Sequence, residues 1–150
     1  ITRRHILFKE ISKMKKALTH IHLLLEREDF NFIANEIVRY YKSKIPSGVK
    51  VRTTKYKDDT LKGDYDVDRK IIKIRTDYKK VSDFVISVLH EIKHAIDHKQ
   101  LGTDDYKADY EWEMNYQIGK GKHQYNDNKF EIEAERWAQK EYRKFWKNKF

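Results

Sequence analysis

Hydrophobic positions recur along the chain in blocks with two different periods. Between about residues 5 and 27, Leu7, Ile11, Met14, Leu18, Ile21 and Leu25 alternate by four and three. That spacing predicts one amphipathic helix. Its stripe reads as a face packed on the domain core, with a docking surface for a partner helix as the alternative. Asp29 reads as the cap of a second helix reaching about Ser43, with Phe32, Ile33, Ile37, Val38 and Tyr41 apolar. Pro46 and Gly48 end it.

The period then shortens. Val49 to Tyr56 reads as a strand, and Asp64 to Asp68 with Ile71 to Arg75 as a hairpin turning near Asp68 to Lys70. Ile72 and Ile74 alternate with Lys73 and Arg75, as in a half-exposed strand. A helix follows from about Val81 to Lys99, capped by Ser82 or Asp83 and stopped by Gly102. Its wide apolar face holds Val85, Val88, Leu89, Ile92, Ala95 and Ile96. A short helix is expected around Asp105 to Met114, then a loop rich in Gly, Asn and His. A last helix starts near Lys129 and carries Phe130, Ala134, Trp137, Ala138, Tyr142 and Phe145. This order predicts one α+β domain over residues 1–150, mainly helical, with a small mixed sheet beside the Val81 helix.

Composition narrows the function classes. Of 150 residues, 39% are hydrophobic and 13% aromatic, enough for a real core. The formal net charge is +9, but the cations are scattered. They read as a densely ionic surface more than as a nucleic-acid tract, so nucleic acid is the less favoured partner. Without cysteine there can be no disulfide or thiolate site, so any metal must rest on histidines and carboxylates. No apolar run approaches the ~20 residues of a membrane span. With no signal peptide visible, a cytoplasmic protein is expected. An initial Ile suits a processed component of a larger particle.

The chemistry concentrates in Leu89-His90-Glu91-Ile92-Lys93-His94-Ala95-Ile96-Asp97, which contains HExxH. Residues four apart share a helix face, so His90 and His94 can aim ring nitrogens at one ion. Glu91, one step round, can reach a metal-bound water without being a ligand. Zinc lowers the pKa of such a water to about 7, and the carboxylate takes its proton. Two imidazoles leave the site incomplete, so a third ligand is required.

Further on, Phe130-Glu131-Ile132-Glu133-Ala134-Glu135 contains ExxA followed by an acid. Here the chain resembles the gluzincin metallopeptidases, over roughly residues 64 to 145. The resemblance implies a zincin-like fold, Glu131 as third zinc ligand, and Glu135 as the carboxylate orienting a ligand histidine. Glu131 and Glu135 share a helix face, which agrees with that pairing. Glu133 is the rival ligand, but a helix turns it about 200° away from Glu131. Asp97 after the motif is similar to the anthrax lethal-factor and Pro-Pro-endopeptidase type. That likeness implies a catalytic Tyr ahead of the Glu ligand, and Tyr125 stands six before Glu131. Its hydroxyl would stabilise the oxyanion; Tyr116 and His123 are fallbacks. Lys93 departs from the pattern, which favours a small residue there.

Other third ligands fit less well. His98 lies about 6 Å further along the axis than His94 and reads as a helix-end residue. The metzincin pattern needs Gly and His where Asp97 and Gln100 stand. His123 has no helical geometry behind it. The expectation is a zinc-dependent peptidase acting on a peptide or protein substrate, with the strand at Ile71 to Arg75 as an edge that substrate could extend. The alternatives are an inactive zincin-like domain of a larger assembly and a basic nucleic-acid-binding protein.

Overall fold

The structure, a computed structural model, describes residues 2–14, 22–54 and 63–150. Among the described residues five helices and three strands follow in the order α1 (Arg3–Met14), α2 (His22–Tyr40), β1 (Lys50–Thr54), β2 (Gly63–Asp66), β3 (Ile71–Arg75), α3 (Val81–Leu101), α4 (Thr103–Gly119) and α5 (Lys129–Glu141). A π-helical turn, Tyr142–Trp146, extends α5. The fold is α+β and mainly helical, with one small mixed sheet. No helix among the described residues is long and apolar enough to cross a membrane.

The sheet order is β1-β3-β2. β3 pairs with β1 in parallel and with β2 antiparallel. It is therefore the centre strand, which corrects the expectation that Ile71 to Arg75 offers a free edge. Strand order depends on pairing between distant segments, which a local pattern does not encode. The alternation itself holds: Ile72 and Ile74 are fully buried, and Lys73 between them is half-buried.

α3 is the axis of the molecule. It packs against α2, α4, α5, β2 and β3. Phe84, Val88, Leu89, Ile92 and Ala95 are completely buried on it. They meet Ile33, Ile37 and Tyr41 from α2 and its end, Ile72 and Ile74 from β3, and Ala138 from α5. Truncating one of the larger of these to Ala would cost about 2–5 kcal/mol. The small side chains of Ala134 and Ala138 let α5 lie close to its neighbours.

Local chemistry ends the helices where the site needs them to end. Gly102, at φ 85°, returns its amide to His98 O at 2.9 Å and turns the chain into α4. A positive φ favours glycine. Asn128 caps α5 by accepting from Phe130 N at 2.9 Å. Buried Glu113 of α4 adds an acceptor for Lys129 N at 3.2 Å. A carboxylate also suits the positive end of a helix.

Several expected boundaries move. Of the expected 5–27 helix the structure describes Arg3–Met14 and the part from His22 on, both helical, and Leu18 and Ile21 lie outside the described residues. Leu7 is 58% exposed, so the reading of its stripe as a core face fails there. Asp29 is not a cap but lies buried inside α2. No Gly or Pro separates it from His22, so nothing stops the helix from starting earlier. Lys80, not Ser82 or Asp83, occupies the cap position of α3, without a side-chain bond. Lys55 and Tyr56, expected in the first strand, lie outside the described residues, and α4 runs five residues past Met114.

Candidate metal centre

His90 and His94 stand one turn apart on α3, ring centroids 5.0 Å apart. Glu91 lies beside them. The potential ligand atoms of these three buried residues all fall within 4.8 Å of one another, and the group can hold a metal ion. α5 crosses here and brings a second carboxylate. Glu131 Oε1 lies 2.8 Å from His90 Nε2 and 2.9 Å from His94 Nε2. A single oxygen is thus held against both imidazoles at once.

The far sides of both rings are fixed. His90 Nδ1 donates to Glu135 Oε2 at 2.9 Å. His94 Nδ1 meets the Tyr106 hydroxyl at 3.2 Å. With Nδ1 occupied in this way, each imidazole presents Nε2 to the same point. Partners of this kind orient ligand histidines and raise their basicity. The Tyr110 hydroxyl donates to Glu131 Oε2, leaving Oε1 for the imidazoles. The donor set is two nitrogens and a carboxylate oxygen, buried and mutually oriented, so the residues present fit a metal ion.

Electrostatics follow from burial and from these bonds. Burial alone would lower the His90 pKa, but hydrogen bonds to Glu131 and Glu135 and the charge of Glu91 outweigh it and raise it to about 10. Glu91 is pushed up to about 7 by burial, against the opposing pull of His94 and His90. Glu131 has burial against it. Even so, donors from His90, His94 and Tyr110 hold it well below the usual carboxylate range. Burial, then the Glu131 and Glu91 charges, keep the Tyr125 hydroxyl protonated far above neutral pH.

The cluster opens on a cleft with two lobes, of about 930 and 480 Å³. Gly63, Glu91, Tyr125 and Glu131 line both lobes. β2 therefore borders the site. At Gly63 an added Cβ would stand 2.7 Å from Ile74 Cδ1, 2.9 Å from Lys73 O and 3.5 Å from Glu91 Cγ. The first two contacts, both with β3, are too close for any side chain but glycine's hydrogen, whereas the third is ordinary van der Waals contact with α3.

The structure brings His90, Glu91, His94, Glu131, Glu135 and Tyr125 together and leaves other candidates apart. Glu133 is exposed. Tyr116 is exposed and stacks on Trp112, with ring centroids 5.0 Å apart. His98 stands in the last turn of α3, as expected, and is buried there, bonded to Tyr65 Oη at 2.7 Å and Thr103 Oγ1 at 2.8 Å. His123 Nδ1 accepts from Tyr125 N at 3.1 Å and Asn126 N at 2.9 Å, which shapes the turn that carries Tyr125. Lys93 neither projects freely nor crowds the site; it pairs with Asp97 at 2.5 Å. Sequence reasoning misses Tyr106, Tyr110 and Gly63. Their only signal is a pair of tyrosines four apart in the segment after Gly102.

Comparisons with protein-family models, with curated proteins and with solved structures find no match.

Proposed function

We propose that this chain is a zinc-dependent metallopeptidase of gluzincin type. The observation that carries the reading is the single Glu131 oxygen held 2.8 and 2.9 Å from the two Nε2 atoms, with Glu91 alongside. His90, His94 and Glu131 would hold the ion. Zinc bound there supplies a Lewis acid that polarises a carbonyl and lowers the pKa of water.

The chain's own residues do the rest. Glu91, buried beside the paired imidazoles and lining the cleft, is placed to take a proton from the attacking water and return it to the leaving amine. Glu135 and Tyr106 keep the imidazoles aimed. Tyr125, a neutral donor on the cleft wall, stabilises negative charge as it develops on the substrate oxygen. β2 is an outer strand of the sheet beside the cleft, so an extended peptide can lie along it through main-chain bonds.

Two measurements test this. Metal analysis of the purified chain should find one zinc per molecule, lost in His94→Ala. Cleavage of a peptide mixture should fall by about a hundredfold or more in Glu91→Gln with zinc retained. Stoichiometric zinc without Glu91-dependent cleavage would instead favour a metal that only holds α3 and α5 together.

A further inference from the structure

Among the described residues each lobe of the cleft is lined by one Lys or Arg, and the two differ in whether that cation is paired. Asp64 and Glu111 line the smaller lobe, where Lys107 is held by Asp68 at 3.1 and 3.2 Å. The larger lobe is different. Arg136 is the one Lys or Arg lining it among the described residues.

Arg136 belongs to the face of α5 that looks into this lobe. Glu131, Ile132, Glu135, Arg136 and Gln139 line it together, spaced by one and by three as one helix stripe requires. Both acids of that stripe are engaged. Glu131 faces the imidazoles, and Glu135 accepts from His90 Nδ1 through one oxygen and from Gln139 Nε2 through the other, at 3.0 Å. Among the described residues Arg136 forms no ion pair.

A second donor lines the same lobe. His123 spends Nδ1 as an acceptor for two backbone amides. The neutral ring therefore carries its proton on Nε2 and has only a donor left to offer. A cation and an N–H donor thus border the lobe that begins at the metal group. A guanidinium fork matches a carboxylate better than any other common peptide group. Arg136 is five residues beyond Glu131, about 7.5 Å along the helix, roughly two residues of extended peptide.

We infer that Arg136, assisted by His123, anchors a substrate carboxylate about two residues from the scissile bond, making the protein selective for acidic peptides on that side. The inference rests on the metallopeptidase reading. The carboxylate is either an Asp or Glu side chain or the free C-terminus of the substrate.

The test is inhibitor affinity, not turnover. Peptide hydroxamates grip a catalytic zinc and are not cleaved. Four probes carry Glu or Gln two residues from the hydroxamate, each ending in a free acid or an amide. Zinc-loaded wild type should bind at least one carboxylate-bearing probe about tenfold or more tighter than the Gln amide, as expected for one charge-assisted pair. Comparing the Glu amide with the Gln free acid identifies the source. The ratio should collapse to about one in Arg136→Gln and survive in part in Arg136→Lys. Unchanged melting of these variants checks their folding, which an exposed position favours. Equal binding of all four probes, or a preference that persists in Arg136→Gln, overturns the inference while the zinc reading stands. Failure of every hydroxamate to bind overturns both.

Discussion

The hydroxyl of Tyr106 lies 3.2 Å from Nδ1 of His94. The two residues are on different helices, joined by the sharp turn at Gly102. The Tyr106 ring is buried and packs edge-on against Phe130, so its place does not depend on the hydrogen bond. Tyr106→Phe should keep the fold and lose the partner that orients His94. Zinc affinity, measured by chelator competition, should fall by about 10–100-fold with little change in the melting temperature of the metal-free protein. An unchanged affinity would show that packing alone aims the imidazole.

Gly63 faces its own consequence. An Ala there meets a backbone carbonyl, Lys73 O, at 2.9 Å as well as Ile74 Cδ1. A flexible side chain could yield, but a strand partner cannot without moving β2. Gly63→Ala should cost about 1–3 kcal/mol, read as a fall in melting temperature of several degrees. Because β2 borders Glu91 and the cleft, peptide cleavage should fall further than the lost stability explains.

Legibility from sequence divides along one physical line. α3 is readable because its apolar face and its histidines obey the same period, so fold and chemistry reinforce each other within one helix. Glu131 and Glu135 are readable as a pair because four residues on a helix is a local relation. Tyr106 and Tyr110 are not. Their helix, α4, buries only Tyr106 and Glu113 and shows no clear apolar stripe. Their role arises when Gly102 turns that helix back toward α3. The centre position of β3 is hidden for a similar reason, since its parallel partner β1 lies well upstream, with β2 between them in the chain. Asp29 misleads because a good capping residue does not start a helix when good helix formers precede it.

Asn128 holds the start of the helix that delivers Glu131. Its side chain caps Phe130 N, and the residue is fully buried. Asn128→Ala should lower stability by about 1 kcal/mol, or about 2–4 °C in melting temperature. Looser anchoring of the first turn of α5 should also weaken zinc binding, whereas an exposed change such as Glu133→Ala on the same helix should alter neither.

The metal-free protein should lose stability as pH rises above 6.5, where the zinc-loaded one does not. The His90 pKa is raised from 6.5 to about 10, so its stabilising contribution is complete below pH 6.5 and lost as pH rises through 10. The Glu91 pKa is raised from 4.5 to about 7, so the folded state also holds this proton more tightly, and stability falls between those values. Glu131 is lowered, so its contribution is present above 4.5 and disappears only in strong acid. Together these predict a metal-free melting temperature that declines from pH 6.5 toward 10. A metal ion must displace the proton on His90 Nε2, because His90 Nδ1 also faces a carboxylate, Glu135, and the metal-free ring is an imidazolium. Zinc affinity should therefore rise up to about tenfold per pH unit below the His90 pKa, with about one proton released per ion bound. Melting curves with zinc and with chelator should draw apart as pH increases, and calorimetry in buffers of different ionisation enthalpy should count the proton. Parallel curves, or binding without proton release, would mean that the ion does not sit between these two imidazoles.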